Sequence, residues 1–443
     1  MTGKGVFLGN KIYESACKKK GMIIIDPKKD DYAPAVANAV ANTFKISFQV
    51  ASWPNNFGYS GINEDDTHLE IANKLIDAFN LVESDNHGVE HYRKNARIAL
   101  KKVLKIFFDG DLGIIVKKNL SEIVKHFQYL KTDLEKIEAY EKELSKNRPN
   151  NILIDKYEKR FFDSDLIDKI YWSESDIEAI DNIANTLSEV SDGAYIYNKI
   201  DIDEALYNGG IVYIKADLLD NASLKMIKIL IVDIIQKARK KKANVDIYAD
   251  EISFYANSGS GKTLSGALAT TRNIGVKWSL FLQDLAQIED GIREAILSNC
   301  NLKFFYKISD KQTLEYVSKI GGKELVSNFS ASDGKSYGIN QSTEDELNTT
   351  RIRALPRTNT AIVIAEALNK AEIVQTNFIE VKNVFDWSFY EYPKEKKLFD
   401  DIKKVANFKN IDIVNYRTKI KGRVKLLEDS DLFGYDFESN KIK

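Results

Sequence analysis

The spacing of apolar positions changes character twice along the chain. Residues 1–60 place a helical stretch, from about Phe7 to Lys19, before a short apolar run, Met22-Ile-Ile-Ile25, that ends at Asp26-Pro27. A short unbroken apolar run closed by a polar turn reads as a buried strand. Between residues 61 and 194 the spacing becomes helical. Leu69, Ala72, Leu75, Ile76 and Phe79 recur on one face, as do Tyr92, Ala96, Ala99, Leu100, Val103 and Phe107. Ser173-Glu-Ser-Asp176 predicts the cap of a further helix carrying Ile177, Ile180, Ile183, Leu187 and Val190. The stretch from about 133 to 160 is charged and weakly periodic, and reads as a solvated hairpin or loop.

From about residue 195 the alternation of strand and helix returns. Strands are expected at Ile211–Ile214, Val245–Asp250, Val276–Gln283 and Leu302–Ile308, with late ones at Thr360–Ala365 and Glu372–Gln375. Helices are expected at Ser223–Lys242, Leu264–Arg272 and Lys311–Ile320. Such alternation implies a mostly parallel sheet covered on both faces. The expected architecture is one α/β domain, residues 1–60 plus 195–385, interrupted by an all-α domain at 61–194. Residues 386–443 form a C-terminal extension without an assigned role.

Composition narrows the function classes. The chain has 443 residues, 44% of them hydrophobic, which is enough for a large core and more than one domain. Its 64 basic and 65 acidic residues give a net charge of -1, so no global field marks a nucleic-acid partner, although a local basic patch is compatible with that total. Cys17 and Cys300 fit neither a disulfide framework nor a zinc cluster. No uncharged apolar run reaches the roughly 20 residues that span a bilayer. The best run, Ile227–Ile235, is broken by Lys228 and Asp233. No signal peptide is evident, and a cytoplasmic setting is the expectation, with any membrane tie coming from a segment not in this chain or from a partner.

The chemistry concentrates in Val245-Asp-Ile-Tyr-Ala-Asp250-Glu251, an apolar strand ending in two adjacent acids. In P-loop ATPases such a strand carries the Asp that binds Mg²⁺, and the following Glu lies where a base for the attacking water is needed. A second apolar run, Trp278-Ser-Leu-Phe-Leu, ends at Gln283-Asp284. In this class an amide there can contact the γ-phosphate of ATP.

Two segments compete for the phosphate loop. Ala256-Asn-Ser-Gly-Ser-Gly261-Lys262-Thr263 nearly matches G-x-x-x-x-G-K-[ST] and follows a strand, but it would leave the α/β units before it without a role. Its alternative is a flexible Gly/Ser loop. Gly3-Lys4-Gly5 fits the order loop, helix, strand, acids, amide. The first glycine of the pattern and the strand before it would then lie upstream of Met1, so the chain is expected to begin inside its own loop. Gly5 also stands where a Ser or Thr would touch Mg²⁺, leaving coordination to Asp250 and water.

These residues follow one another as in conjugative type IV coupling proteins. Thr2-Gly-Lys-Gly-Val-Phe-Leu8, Ile25-Asp-Pro-Lys28, His91-Tyr-Arg-Lys-Asn-Ala-Arg-Ile-Ala-Leu100, Tyr248-Ala-Asp-Glu251, Thr271-Arg-Asn-Ile-Gly275, Leu282-Gln-Asp284, Asn299-Cys-Asn-Leu-Lys-Phe-Phe305 and Ser309-Asp-Lys-Gln-Thr-Leu-Glu-Tyr-Val317 resemble the TraD/TraG group of DNA-pumping ATPases over roughly residues 1–380. The resemblance implies a RecA-like P-loop nucleotide-binding domain with an inserted all-α domain. It implies ATP and Mg²⁺ as cofactors and a homo-hexamer at the inner membrane. It also implies DNA, relaxase or relaxosome proteins and type IV secretion channel components as partners. By position it makes Asp250 the Mg²⁺ or water ligand, Glu251 the general base, Gln283 the sensor and Lys4 the phosphate-loop lysine. Arg272 would reach a neighbouring subunit's γ-phosphate. Asp26 matches an acidic position with no assigned role, and Lys29 stands where the family has Gly.

Three other readings stay open on the residues. A chain without a complete phosphate loop could be a DNA- or relaxase-docking module that does not hold ATP. His87-Gly-Val-Glu90-His91 matches the H-x-x-E-H pattern of a zinc peptidase, against a pair of solvated histidines at a helix start. Lys237-Ala-Arg239-Lys-Lys-Lys242 could touch DNA phosphates or complement the C-terminal end of a helix.

Overall fold

The computed structural model describes residues 3–108, 118–131, 174–193 and 200–387 apart from short breaks, together with the paired residues 435–436 and 441–442. The chain divides into two compact units, residues 1–390 and 391–443. In the second, Tyr435–Asp436 and Lys441–Ile442 form a short antiparallel pair. The expected loop at 133–160 and the cap residue Ser173 lie outside the described residues.

The first unit begins with α1 (Lys4–Cys17), β1 (Gly21–Asp26), α2 (Tyr32–Phe44) and β2 (Phe48–Ser52). Between residues 61 and 193 every described regular element is helical, among them α3 (His68–Ala78), α4 (His87–Phe108) and α5 (Glu174–Gly193). Then follow α6 (Ile202–Tyr207), β3 (Ile211–Lys215), α7 (Asn221–Lys240), β4 (Val245–Ala249), α8 (Ser253–Ala256), α9 (Ser260–Thr270) and β5 (Val276–Leu280). The last part holds α10 (Asp290–Asn299), β6 (Leu302–Phe305), α11 (Lys311–Ile320), β7 (Lys323–Ser332), β8 (Ser336–Asp345), α12 (Thr349–Arg353), β9 (Thr360–Ala365) and β10 (Lys370–Gln375).

Five strands form a parallel sheet in the order β2-β3-β1-β4-β5. β1 is buried along its whole length because its two faces feed two cores. Ile23 and Ile25 pack with the helical segment and α7, whereas Met22 and Ile24 pack with α1 and α2. Each such isoleucine contributes about 1.5–3 kcal/mol by leaving water. Gly275 precedes β5 at φ 85, and a Cβ there would stand 1.8 Å from the Ala243 carbonyl oxygen, so no other residue lets β5 approach so closely.

Two expectations change. The late strands do not extend the parallel sheet. β9 pairs antiparallel with both β6 and β10 in a separate sheet, and β7 and β8 form an antiparallel hairpin. α2 and β2, which the apolar pattern did not mark, complete the first α/β unit before the helical segment. Phe385 and Trp387 pack in the same core as Tyr213 and α2.

The helical segment is tied to α7 by a buried polar cluster. Lys74 of α3 pairs with Asp66 and with Asp233 of α7, the latter at 2.7 Å, and donates to the Gly61 carbonyl at 2.8 Å. Tyr59 donates its hydroxyl to Asp233, and Asn63 donates to it at 2.8 Å. Buried charges persist only when paired and hydrogen-bonded, and this cluster meets that condition.

Candidate nucleotide site

β4 delivers Asp250 and Glu251 to the carboxyl end of the sheet, where its neighbours hold them. The Asp250 N–H donates to the Ile25 carbonyl at the end of β1 (2.9 Å). The Ile252 N–H donates to the Phe281 carbonyl just past β5 (3.0 Å). Between these anchors Glu251 adopts φ 47, a left-handed conformation uncommon outside glycine. The turn places its carboxylate inward, with the side chain 1% exposed.

α1 enters the same space. Its N-cap, Gly3, sits at φ 91, and Phe7 packs on Phe281 and Phe304 with ring centroids 6.1 and 4.4 Å apart. These contacts set the helix N-terminus over the ends of β5 and β6. Lys4, the first residue of α1, brings Nζ to 3.5 Å from Glu251 Oε1. Gln283, just beyond β5, donates Nε2 to the same oxygen at 2.9 Å. Lys4, the adjacent pair Asp250 and Glu251, and Gln283, three places far apart in sequence, are therefore brought together. Gly3 and Gly5 flank the lysine.

Lys28 joins them, and sequence reasoning had given it no role. Its ammonium pairs with Glu251 and lies 4.0 Å from Asp250 Oδ2. Its N–H donates to Asp26 Oδ1 at 2.8 Å, and Tyr213 donates its hydroxyl to Asp26 Oδ2. Asp26-Pro-Lys28 at a strand end was the available signal, since a strand next to β4 must end beside its acids.

Burial drives the electrostatics. It raises the Asp250 carboxyl above the usual range, Lys28 opposing and Glu251 reinforcing the shift. Burial also presses the Glu251 carboxyl upward, but hydrogen bonds from Lys28 and Gln283 together with the Lys4 charge outweigh it and leave Glu251 below its ordinary value. Glu251 is thus held ionised.

The groups present fit a phosphate ligand. Among the described residues, Lys4 Nζ and Glu251 Oε2 are buried and make no hydrogen bond. A buried cation at a helix N-terminus suits an anion, and a buried carboxylate oxygen suits a water. α1 has no acidic residue in its first turn to compete. That turn also brings no hydroxyl that could reach a metal ion.

The other candidates fall elsewhere. Gly261, Lys262 and Thr263 lie inside α9, which α8 precedes, so the segment 256–263 lacks the strand-to-loop entry of a phosphate loop. Arg272 lies in the turn Thr271–Ile274 before β5, at the opposite end of that strand from Gln283. The five residues of β5 span about 17 Å. His87 is the first residue of α4, Glu90 accepts from Arg97, and His91 Nε2 lies 3.3 Å from Asn95. Among the described residues no group of His, Cys, Asp and Glu could hold a metal ion by itself. Lys237 pairs with Asp203, and Lys240 with Asp65 and Glu70, so these basic residues at the end of α7 are engaged internally. No described helix is long and apolar enough to cross a membrane.

Comparison with known proteins bears on the fold. Residues 244–360 match the family described as the TraM recognition site of TraD and TraG. The unbound form of the bacterial conjugative coupling protein TrwBΔN70 aligns with a TM-score of 0.61 and 16% identity, covering 88% of this chain and 86% of that one. The chain has the fold of a conjugative coupling protein. TrwB in complex with the ATP analogue ADPNP gives a TM-score of 0.59 at 15% identity, covering 87% and 85%. TrwB with ADP and Mg²⁺ gives 0.56 at 15%, covering 88% and 84%. No curated protein matches. The family resemblance and the α/β fold with a RecA-like P-loop domain and helical insertion, both expected from sequence, are borne out.

Proposed function

We propose that the chain is the motor part of an ATP-driven DNA translocase of the coupling-protein kind. The observation that carries this reading is the meeting of Lys4, Asp250, Glu251 and Gln283 at one helix N-terminus. Lys4 and the first amides of α1, with Gly3 and Gly5, bind the phosphates of ATP. Asp250 holds Mg²⁺ directly or through water, and the ion supplies charge neutralisation at the phosphates. Glu251 takes the proton of the water that attacks the γ-phosphorus, while Gln283 couples that carboxylate to the phosphate. The TrwB complexes with ADPNP and with ADP and Mg²⁺ support the ligand class.

Residues 1–60 with 195–385 act as the nucleotide-binding domain and 61–194 as its helical insert. Arg272 serves the next subunit of a hexameric ring, a reading supported by its distance from its own site. DNA and relaxosome proteins are the partners, supported by the TraM-recognition match. Transfer toward a type IV secretion channel is the process, with a membrane anchor supplied outside this segment.

The test is DNA-stimulated ATP hydrolysis by the purified protein and by Glu251→Gln. Hydrolysis by the first and its loss in the second, with nucleotide still bound, support the reading. Equal turnover in both rejects Glu251 as base. Absence of nucleotide binding in either favours a docking module.

A further inference from the structure

We propose that Lys28 is a positioning residue for Glu251, set in place by Asp26, and that it holds the carboxylate toward the attacking water once Lys4 has turned to phosphate. The inference rests on the ATPase reading above.

Two cations touch Glu251, and they differ in what else they serve. Lys4 stands at the N-terminus of α1 with an ammonium that makes no hydrogen bond, and a phosphate there engages it. Lys28 approaches from the open side: its side chain is 40% exposed against 1% for Glu251. When Lys4 leaves, Lys28 is the cation that remains beside a carboxylate buried in the fold. A buried carboxylate with no cation is strongly disfavoured and turns to whatever partner it can reach. Lys28 prevents that turn and leaves Lys4 to the ligand.

The arm is built. Asp26, 3% exposed, accepts the Lys28 N–H on one oxygen and the Tyr213 hydroxyl on the other. β3, β1 and β4 are adjacent in the sheet, so Tyr213, Asp26, Lys28 and Glu251 form a continuous chain of contacts across three strands. A surface lysine that pairs with an acid by chance needs no buried acid fixing its backbone.

The experiment compares Lys28→Met, Lys28→Arg and Asp26→Asn with wild type in steady-state ATP hydrolysis and in binding of a fluorescent ATP analogue. Lys28→Met is expected to lower kcat by about tenfold or more, the worth of a hydrogen bond to a charged group. KM and analogue affinity stay within about threefold, because Lys28 acts on the base. Lys28→Arg recovers much of the rate and Asp26→Asn lies between. Separately, the melting temperatures of Lys28→Met, Glu251→Gln and the double variant form a cycle that needs no turnover. The two shifts are expected to be non-additive. An unchanged or raised kcat in Lys28→Met, a parallel loss of affinity, or additive melting shifts overturn the inference. A wild type that hydrolyses no ATP counts against the ATPase reading, and the melting cycle then decides this one.

Discussion

Gln283 and Glu251, brought together from the ends of neighbouring strands, share one hydrogen bond of 2.9 Å in which the amide donates to the carboxylate. The bond fixes the acid from the β5 side while Lys28 fixes it from the β1 side. Gln283→Ala removes a donor to an ionised group, worth roughly 1.5–3 kcal/mol. The expected result is a ten- to hundredfold fall in kcat, by the rule of about 1.4 kcal/mol per decade, with nucleotide affinity nearly unchanged. Gln283→Glu places a second carboxylate against the first and should be the poorer enzyme. Steady-state kinetics with a parallel binding titration separate these outcomes.

Gly3 is predicted to be irreplaceable for two independent reasons. Its φ of 91 disfavours any side chain, and a Cβ would stand 2.4 Å from Tyr306 Cδ1. Gly3→Ala should therefore displace the N-terminus of α1 and weaken nucleotide binding. Adding Tyr306→Ala removes the clash and leaves the backbone strain of about 1 kcal/mol, so affinity should recover only in part. Full recovery in the double variant would show that the conformation itself is unimportant.

The parts of this site that were legible in the sequence are those that local pattern encodes. An apolar run must end somewhere, and Val245–Ala249 ends in two acids, so Asp250 and Glu251 announce themselves. Lys28 does not, because its role exists only after β1 and β4 pair. α2 escaped notice since Tyr32-Ala-Pro-Ala-Val-Ala is buried on nearly every side and shows no apolar period. β2 is short, with Gln49 and Ser52 among its five residues. The antiparallel second sheet was illegible for a different reason: strand direction is set by which edges meet, and no run of residues states it.

Arg272 gives a prediction about assembly. It lies in the turn before β5, at the far end of that strand from Gln283. Arg272→Ala should bind nucleotide normally and hydrolyse it poorly, with a loss of about 10³-fold by analogy with arginines supplied in trans. Mixing Arg272→Ala with Glu251→Gln subunits creates some interfaces that hold both native residues, so hydrolysis should reappear. No recovery at any mixing ratio places Arg272 outside the reaction.

Lys74 tests how the helical segment is joined to α7. Its ammonium, fully buried, serves Asp66 and Asp233 at once, and Asp233 is held from the other side by Tyr59. Lys74→Met fills the space but leaves Asp233 buried without a cation and Asp66 with only Lys240, 3.8 Å away, and breaking a buried pair in this way costs about 3–5 kcal/mol. Combining it with Asp233→Asn removes the unpaired charge, so the double variant should melt above the single one. Because Asp233 lies on α7, whose apolar residues share one core with those of β4, a loosened α7 should also weaken the response of ATP hydrolysis to DNA before basal hydrolysis suffers. Calorimetry and stimulated turnover on the same preparations decide the matter: a single variant as stable as wild type would mean that the cluster is neutral, and a stimulated rate unaffected by its loss would mean that the joint carries no signal.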